Sequence, residues 1–447
     1  MDQLIERMNI AVVGAGISGL AAAWLLAKRH RVTLYEAGDH LGGHANTRDV
    51  ETPDGTVAVD TGFVVYNERN YPNLTALFRH LDVATQPTEM SFAMSFNNGA
   101  FEYAGSGITG FFGQRRNVVS PRHWRLLRDI SRFFKTARAR VATYPSATSL
   151  GSFLAAEGYS NAFVSDHILP MGAAIWSTST AEFINFPARG FIDFYNNHGM
   201  LQFRERPAWR TVTGGSRDYV SKLIADTELE VQEGVSIRKI ARHPNYVHVR
   251  DDRGVDRVFD HIVIATHANH ALKLLEQPTS LEHELLNRFS YQTNRAILHR
   301  DPRLMPRRRH LWSSWNYLKQ DDGHETNLCL TYWMNRLQSL DTKTDIFVTL
   351  NPSVEIHPKA VEAVIDYDHP MFDAAATSAQ GSLWAMQGIH RTWFCGSYFG
   401  FGFHEDGAQS GLAVAEQLGG VQRPWQLANP SGRISVGLVP APMEAAE

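Results

Sequence analysis

The chain has 447 residues, enough at about 150 residues per domain for two or three domains, and its 43% hydrophobic content supplies cores for them. A net charge of −3 gives no reason to expect a nucleic-acid partner, and only two cysteines, Cys329 and Cys395, exclude a disulfide framework or a cysteine metal cluster. No run reaches the roughly 18 apolar residues of a membrane span, and MDQLIERMNIAVVGAG lacks the basic start and apolar stretch of a signal peptide, so a cytoplasmic protein without a metal site is expected.

Residues 9–36, NIAVVGAGISGLAAAWLLAKRHRVTLYE, read as a strand, a glycine turn, an Ala- and Leu-rich helix and a second strand ending in an acid. This is a βαβ unit that predicts dinucleotide binding. Gly14 permits the tight turn, Gly16 lets a pyrophosphate approach the backbone, and Gly19 lets helix and strand pack closely, with Ala15 and Ser18 between them. The phosphates are expected at the helix N-terminus, where free N–H groups and the helix dipole favour an anion. Glu36, 20 residues beyond Gly16 and followed by Ala37, is placed to accept from adenosine ribose hydroxyls.

Nicotinamide enzymes and flavoproteins share everything up to this point. The next segment, AGDHLGGHANT, resembles the flavoprotein superfamily of flavin-containing amine oxidases, protoporphyrinogen oxidase and carotenoid desaturases, whose first motif runs past the acid into Gly-Gly-Arg. The resemblance implies FAD as the cofactor. Here the motif is Gly42-Gly43-His44, so the arginine that members offer to the pyrophosphate is replaced by His44, which is charged only at lower pH; Arg48 is a candidate to compensate. In DTGFVVYN, residues 60–67, the resemblance places Thr61, Gly62 and Phe63 near the flavin.

Residues 122–144 carry apolar side chains at 126, 127, 130, 133, 134, 137 and 141, a helical stripe, while Arg115, Arg116, Arg122, Arg125, Arg128, Arg132, Lys135, Arg138 and Arg140 face only Asp129 nearby. A basic amphipathic helix around 115–140 can rest on an anionic membrane at about 1 kcal/mol per engaged cation, or it can be a solvated face of its own domain. Residues 173–203 are dense in aromatics: Trp176, Phe183, Phe186, Phe191, Phe194, Tyr195 and Phe203 read as core. If some line a cavity, the substrate is large and apolar. His198 reads as a satisfied, buried histidine.

Residues 231–266 read as a hairpin around DDRG followed by the buried parallel strand HIVIAT. The resemblance implies that Val235 meets the adenine through its backbone and that Ala265 lies near the cofactor. In YQTNRAILHRD, where amine oxidases of the superfamily hold a lysine near flavin N5, Asn294 or Arg295 stands instead, and there is no lysine from 274 to 318. Near the C-terminus, RTWFCGSYFGFGFHEDGAQSGLAVAEQL resembles the superfamily's last motif. This predicts a strand at 392–395, a turn at Gly396-Ser397 and a helix from Asp406 or Gly407 whose dipole faces the flavin, with Glu405 and Asp406 at its start. Within that turn His404, expected to titrate near neutral pH, is the candidate base, and Tyr398 the candidate positioning group. The tail after 425 lacks periodicity and reads as extended or disordered.

The expected fold is α/β: a Rossmann-like FAD domain assembled from about 1–75, 205–270 and 385–425, an α+β substrate domain from 76–204 and 271–384, and a tail at 426–447. The GSYFGFGFHEDG wording and the GGH variant also resemble a bacterial branch of NAD/FAD-binding proteins associated with cyclopropane-synthase-like methyltransferases and implicated in modifying methylated fatty acyl chains. The resemblance implies an FAD-dependent desaturase or dehydrogenase of a hydrophobic lipid. The alternatives are a flavin amine oxidase, and a redox-neutral isomerase or flavin-binding lipid-surface protein.

Overall fold

The computed structural model describes residues 7–202, 207–319 and 329–437. Five strands, β1 (Asn9–Val13), β2 (Arg31–Glu36), β3 (Glu230–Glu233), β4 (His261–Ile264) and β5 (Thr392–Phe394), form a parallel sheet in the order β3-β2-β1-β4-β5. Ile10 stands opposite both Val32 and His261, so β1 is central. Its last four residues are buried, as a strand covered on both faces requires. The chain leaves β1 toward β2 on one side and reaches β4 on the other, so a crevice opens beyond the C-terminal ends of β1 and β4, where open α/β sheets bind ligands. Helix α1 (Ile17–Ala27) joins β1 to β2 and is buried from Ile17 to Leu26.

A second, seven-stranded sheet runs in the order 361–370, 291–299, 347–350, 329–333, 315–319, 92–96, 101–104. Its pairs are antiparallel except for 315–319 beside 92–96. A small sheet of 65–67, 209–212 and 85–88 spans the expected domain boundary at residue 75 and stitches the two units together. The hairpin around DDRG is present, with 247–251 paired to 256–259.

Helix α2 (Pro121–Val141) starts where Ser120 Oγ accepts from the His123 N–H at 3.3 Å, with Pro121 in the first turn. It buries Leu126, Ile130, Phe133, Ala137 and Val141, the expected stripe. Helix α3 (His404–Gly419) begins two residues before the expected Asp406, because the Asp406 carboxylate reaches back to accept from Phe403 N–H at 2.8 Å and Phe401 N–H at 3.0 Å. Helices α1 and α3 pack together, bringing the two ends of the chain to one crevice.

Residues 426–437, expected to be extended or disordered, form turns and irregular backbone that side chains anchor. Arg433 Nε lies 2.6 Å from Asp406 Oδ1, and Asn73 Nδ2 donates to the Pro430 carbonyl at 2.8 Å. Residues 438–447 and Phe203 lie outside the described residues. Among the described residues no helix is long and apolar enough to cross a membrane.

Candidate functional site

A cavity of about 820 Å³ runs from the C-terminal ends of β1, β2, β4 and β5 into the space against the seven-stranded sheet. The glycine turn forms one end. Gly14 has φ of +102°, a conformation open to glycine, and Gly16 has nothing within 4 Å of where a Cβ would stand, leaving an open cradle for a ligand. Helix α1 begins at Gly16 without a side-chain cap, so the polar groups of its first turn need another partner. Both oxygens of Glu36 are pinned, Oε2 accepting from Ala15 N–H and Oε1 from Gly38 N–H, each at 2.8 Å. Of the residues expected here, Gly14, Gly16, Ser18, Glu36, Ala37, Gly43, His44 and Val235 line the cavity.

Ala15 and Gly19 do not line it; Gly19 has the packing role expected of it. Ala15 spends its N–H on Glu36, and a methyl at Gly19 would lie 1.8 Å from the Gly14 carbonyl oxygen, so Gly19 seats the helix against the turn. Arg48 is also absent from the wall, and His44 itself closes this stretch. The His44 ring stacks 4.8 Å from Tyr367 and meets His369 edge-on at 5.4 Å; burial, then the neighbouring imidazole, hold its pKa at about 3. It is therefore a neutral replacement for a cationic arginine.

The C-terminal turn forms the second part of the wall, through Gly396, Ser397, Tyr398, Gly402, Phe403 and His404. It meets the 61–63 loop there, which also lines the cavity: the Phe63 ring stacks 3.8 Å from His404, and Phe63 N–H donates to the His44 carbonyl at 2.7 Å. His404 Nε2 lies 2.9 Å from Tyr219 Oη. Burial lowers the His404 pKa to about 3, which corrects the expectation that it titrates near neutrality. Tyr398 is buried between Phe289 and Phe399, and its hydroxyl has no hydrogen-bond partner among the described residues.

Glu405 and Asp406, expected at the cofactor, are engaged within the protein. Glu405 is fully buried and accepts from the N–H groups of Asn73 and Leu74, Asn73 Nδ2 and Gln409 Nε2. Asp406 serves Phe401, Phe403 and Arg433. Their hydrogen-bonding capacity goes to fixing the turn, and neither lines the cavity.

The far half of the cavity is apolar and aromatic, including Phe92, Phe134, Met171, Phe194, Tyr195 and Leu350. Of the aromatics at 173–203, Trp176, Phe183, Phe186 and Phe191 are core, while Phe194 and Tyr195 reach the wall. His198 is buried, with Nδ1 donating to the Phe194 carbonyl at 2.9 Å and its pKa lowered by burial to about 3. No lysine or arginine lines the cavity among the described residues. Asn294, at the expected lysine position, lies behind the wall and donates to His369 Nδ1 at 3.0 Å and the Ser177 carbonyl at 2.8 Å; Arg295 points outward to Asp366.

Sequence reasoning missed Tyr219, His267 and His369. His267 stacks 4.5 Å from Tyr291, and burial brings both histidines to about 4. A histidine directly after HIVIAT was a signal for His267, since the end of that strand was already expected at the cofactor; no local pattern marks the other two.

The family model described as flavin containing amine oxidoreductase matches residues 17–336. A carotenoid phi-ring synthase of Streptomyces griseus is 49% identical over 75 residues, 16% of this chain and 14% of its own length. An L-amino-acid oxidase of Bungarus fasciatus is 58% identical over 40 residues, 9% of this chain and 8% of its own. These matches thus span a small part of the curated relatives. Among solved structures, a CLA-producing fatty acid isomerase from P. acnes superposes with a TM-score of 0.63 at 17% identity, covering 90% of this chain and 97% of its own. Wild-type putrescine oxidase bound to putrescine gives 0.65 at 15%, covering 92% and 99%. These likenesses establish the two-domain fold. The open glycine cradle, the pinned acid and the two converging helix starts fit FAD, the family's cofactor. The chain therefore belongs to the flavin containing amine oxidoreductase family and is an FAD-dependent oxidoreductase.

Proposed function

We propose that the protein dehydrogenates a hydrophobic acyl chain, such as the methylated fatty acyl chain of a phospholipid. The observation that carries this reading is the far half of the cavity, apolar and without a lysine or arginine in its wall. An alkyl chain loses nothing against these apolar side chains, whereas an ammonium among them would give up its hydration, the carboxylates of the wall being Glu36, Asp60, Glu89 and Asp368. Asn294 supports the same choice, because it leaves the expected lysine position without a titratable amine.

FAD, when bound, supplies the acceptor for a hydride from the substrate carbon, and the accompanying proton passes to one of the neutral imidazoles of the wall. The chain's own residues orient the substrate and exclude water. Phe194 and Tyr195 wall the apolar half, and Tyr398 offers an unpaired buried hydroxyl at the cavity wall. His404, held by Phe63 and Tyr219 and kept neutral by burial, orients a neighbouring group through hydrogen bonding instead of serving as a charged acid at rest. The amine-oxidase reading has the family resemblance behind it, and Glu89 and Asp368 of the wall are carboxylates that suit an ammonium, but no lysine stands at the expected position.

The test is anaerobic bleaching of the flavin in the purified holoenzyme. Detergent-dispersed phospholipid bearing a methylated unsaturated chain is expected to bleach it, and putrescine and other primary amines are not. Bleaching by amines alone would overturn the proposal. A double bond that moves along the chain without net bleaching would replace dehydrogenation by isomerisation.

A further inference from the structure

Gly105, Ser106 and Glu89 line the cavity and are exposed, so one of its openings lies there, apart from the exposed lining residues Ala37, Gly62 and His270. Close to this opening in the chain, four large apolar side chains face solvent: Ile108 is 80% exposed, Val118 50%, Val119 81% and Trp124 51%. They belong to one local structure. Phe112 N–H donates to the Ile108 carbonyl at 3.0 Å, the Trp124 ring lies 4.9 Å from that of Phe112, and Trp124 Nε1 donates to the Val118 carbonyl at 2.8 Å. A soluble protein scatters such residues singly, and their concentration here marks an interaction site.

The charge beside them is of one sign. No Asp or Glu occurs between Glu102 and Asp129, a stretch that holds five arginines. Arg122 is engaged by Asp166 at 2.5 Å, but Arg115, Arg116 and Arg125 are exposed and form no ion pair with any described residue. A groove along α2, lined by Trp124, Leu127, Arg128 and Lys135 among others, extends the patch. Apolar side chains directed at water, flanked by unpaired cations and following in the chain directly after the lining residues Gly105 and Ser106, are complemented by a bilayer: the side chains enter the acyl boundary while the guanidinium groups meet phosphates.

We infer that residues 105–128 seat the protein on an anionic phospholipid bilayer with this opening of the cavity against it, so that an acyl chain enters while still esterified. A free acid or a water-soluble thioester would need no such surface. The entry of the chain rests on the proposed acyl-dehydrogenating function; the docking rests on the patch alone.

Co-sedimentation of the holoenzyme with vesicles of phosphatidylcholine, with and without phosphatidylglycerol, tests it. Binding is expected only with phosphatidylglycerol, and should weaken about 100-fold or more in Arg115→Gln/Arg116→Gln/Arg125→Gln, at about 1 kcal/mol per cation and about 1.4 kcal/mol per tenfold. Ile108→Ser/Val119→Ser/Trp124→Ser should also lose vesicles, with both variants keeping the yellow colour and melting temperature. Flavin bleaching by methylated phospholipid in vesicles should then fall with binding, while bleaching by the same lipid in detergent micelles stays unchanged. Wild-type protein that ignores phosphatidylglycerol, or variants that bind like it, would overturn the docking. So would a wild-type dimer abolished by both variants, which would assign the face to a second copy. Vesicle binding as expected with no bleaching by either lipid form would uphold the docking surface and bring down the acyl reading separately.

Discussion

Removing one guanidinium from the irregular C-terminal segment should loosen the cavity wall. Arg433 Nε lies 2.6 Å from Asp406 Oδ1, Asp406 is fully buried, and the same carboxylate accepts from the N–H groups of Phe401 and Phe403. Arg433→Met keeps the apolar stem and removes the charge, leaving a buried carboxylate without its cation, a change that typically costs about 3–5 kcal/mol. The two N–H groups that remain place the expected loss at the lower end. With an unfolding entropy of about 2.1 cal/mol/K per residue, about 3 kcal/mol lowers the melting temperature of a chain this long by about 3 °C if it unfolds as one unit. The local effect should be larger, because Phe401 and Phe403 belong to the turn that carries His404. Thermal melts followed in parallel by circular dichroism and by the fluorescence of released flavin separate the two effects, with flavin expected to leave first. Asp406→Asn and the double variant complete a cycle in which a coupling of about 1 kcal/mol or more is expected. Melting within about 0.5 kcal/mol of wild type with flavin retained, or strict additivity, would refute the reasoning.

Gly19→Ala should abolish flavin retention, since its methyl would lie 1.8 Å from the Gly14 carbonyl oxygen and must push apart the turn and helix, at about 1–3 kcal/mol or more; a full flavin-to-protein ratio after gel filtration would contradict this. His404→Ala should keep the yellow colour and lose most turnover, while the wild-type pH profile shows no step near 6.5 from this residue, whose pKa is about 3; a step near 6.5 that vanishes in the variant would show that His404 titrates in the ordinary range. Stability should fall as the pH drops below about 6.5. His44, His198 and His404 have pKa values of about 3 in the folded chain, and His267 and His369 about 4, so the unfolded chain takes up protons first, and stability present above 6.5 is lost toward 4 and 3. Melting temperatures that stay level from pH 8 to pH 5 would count against burial of these imidazoles.

What the sequence made legible was local. The βαβ unit is written within 28 consecutive residues, its glycines spaced by the turn they form and its acid by the length of the helix, and it stands where expected. The stripe of α2 follows for the same reason, because a helical period needs no distant information. Glu405 and Asp406 show where such reading ends. A carboxylate in the first turn of a helix is favourable whether it faces a ligand or the protein. The choice was made by Asn73 and Leu74, more than 300 positions away from Glu405, and by Arg433, 27 positions beyond Asp406. Tyr219, 185 positions from His404, carried no local mark either.

The same limit explains the C-terminal segment and the exposed apolar and basic patch, in opposite senses. Residues 426–437 lack periodicity because their order comes from side chains that reach into other elements: Arg433 to Asp406, and Pro430 through its carbonyl to Asn73. Absence of a repeat there was not absence of structure. Around α2 the repeat was real but incomplete, since it counted cations and could not say which were already paired. Folding consumes Arg122 and Arg140 in ion pairs with Asp166 and Glu157, leaves Arg115, Arg116 and Arg125 free, and turns Ile108, Val119 and Trp124 outward beside them. A charge run becomes a directed surface only after that subtraction, and what survives it follows in the chain directly after the cavity residues Gly105 and Ser106. Cations alone would suit any anionic partner, and apolar side chains alone any greasy one. Their coincidence on one stretch is why the proposed partner is one with phosphate on its surface and hydrocarbon beneath.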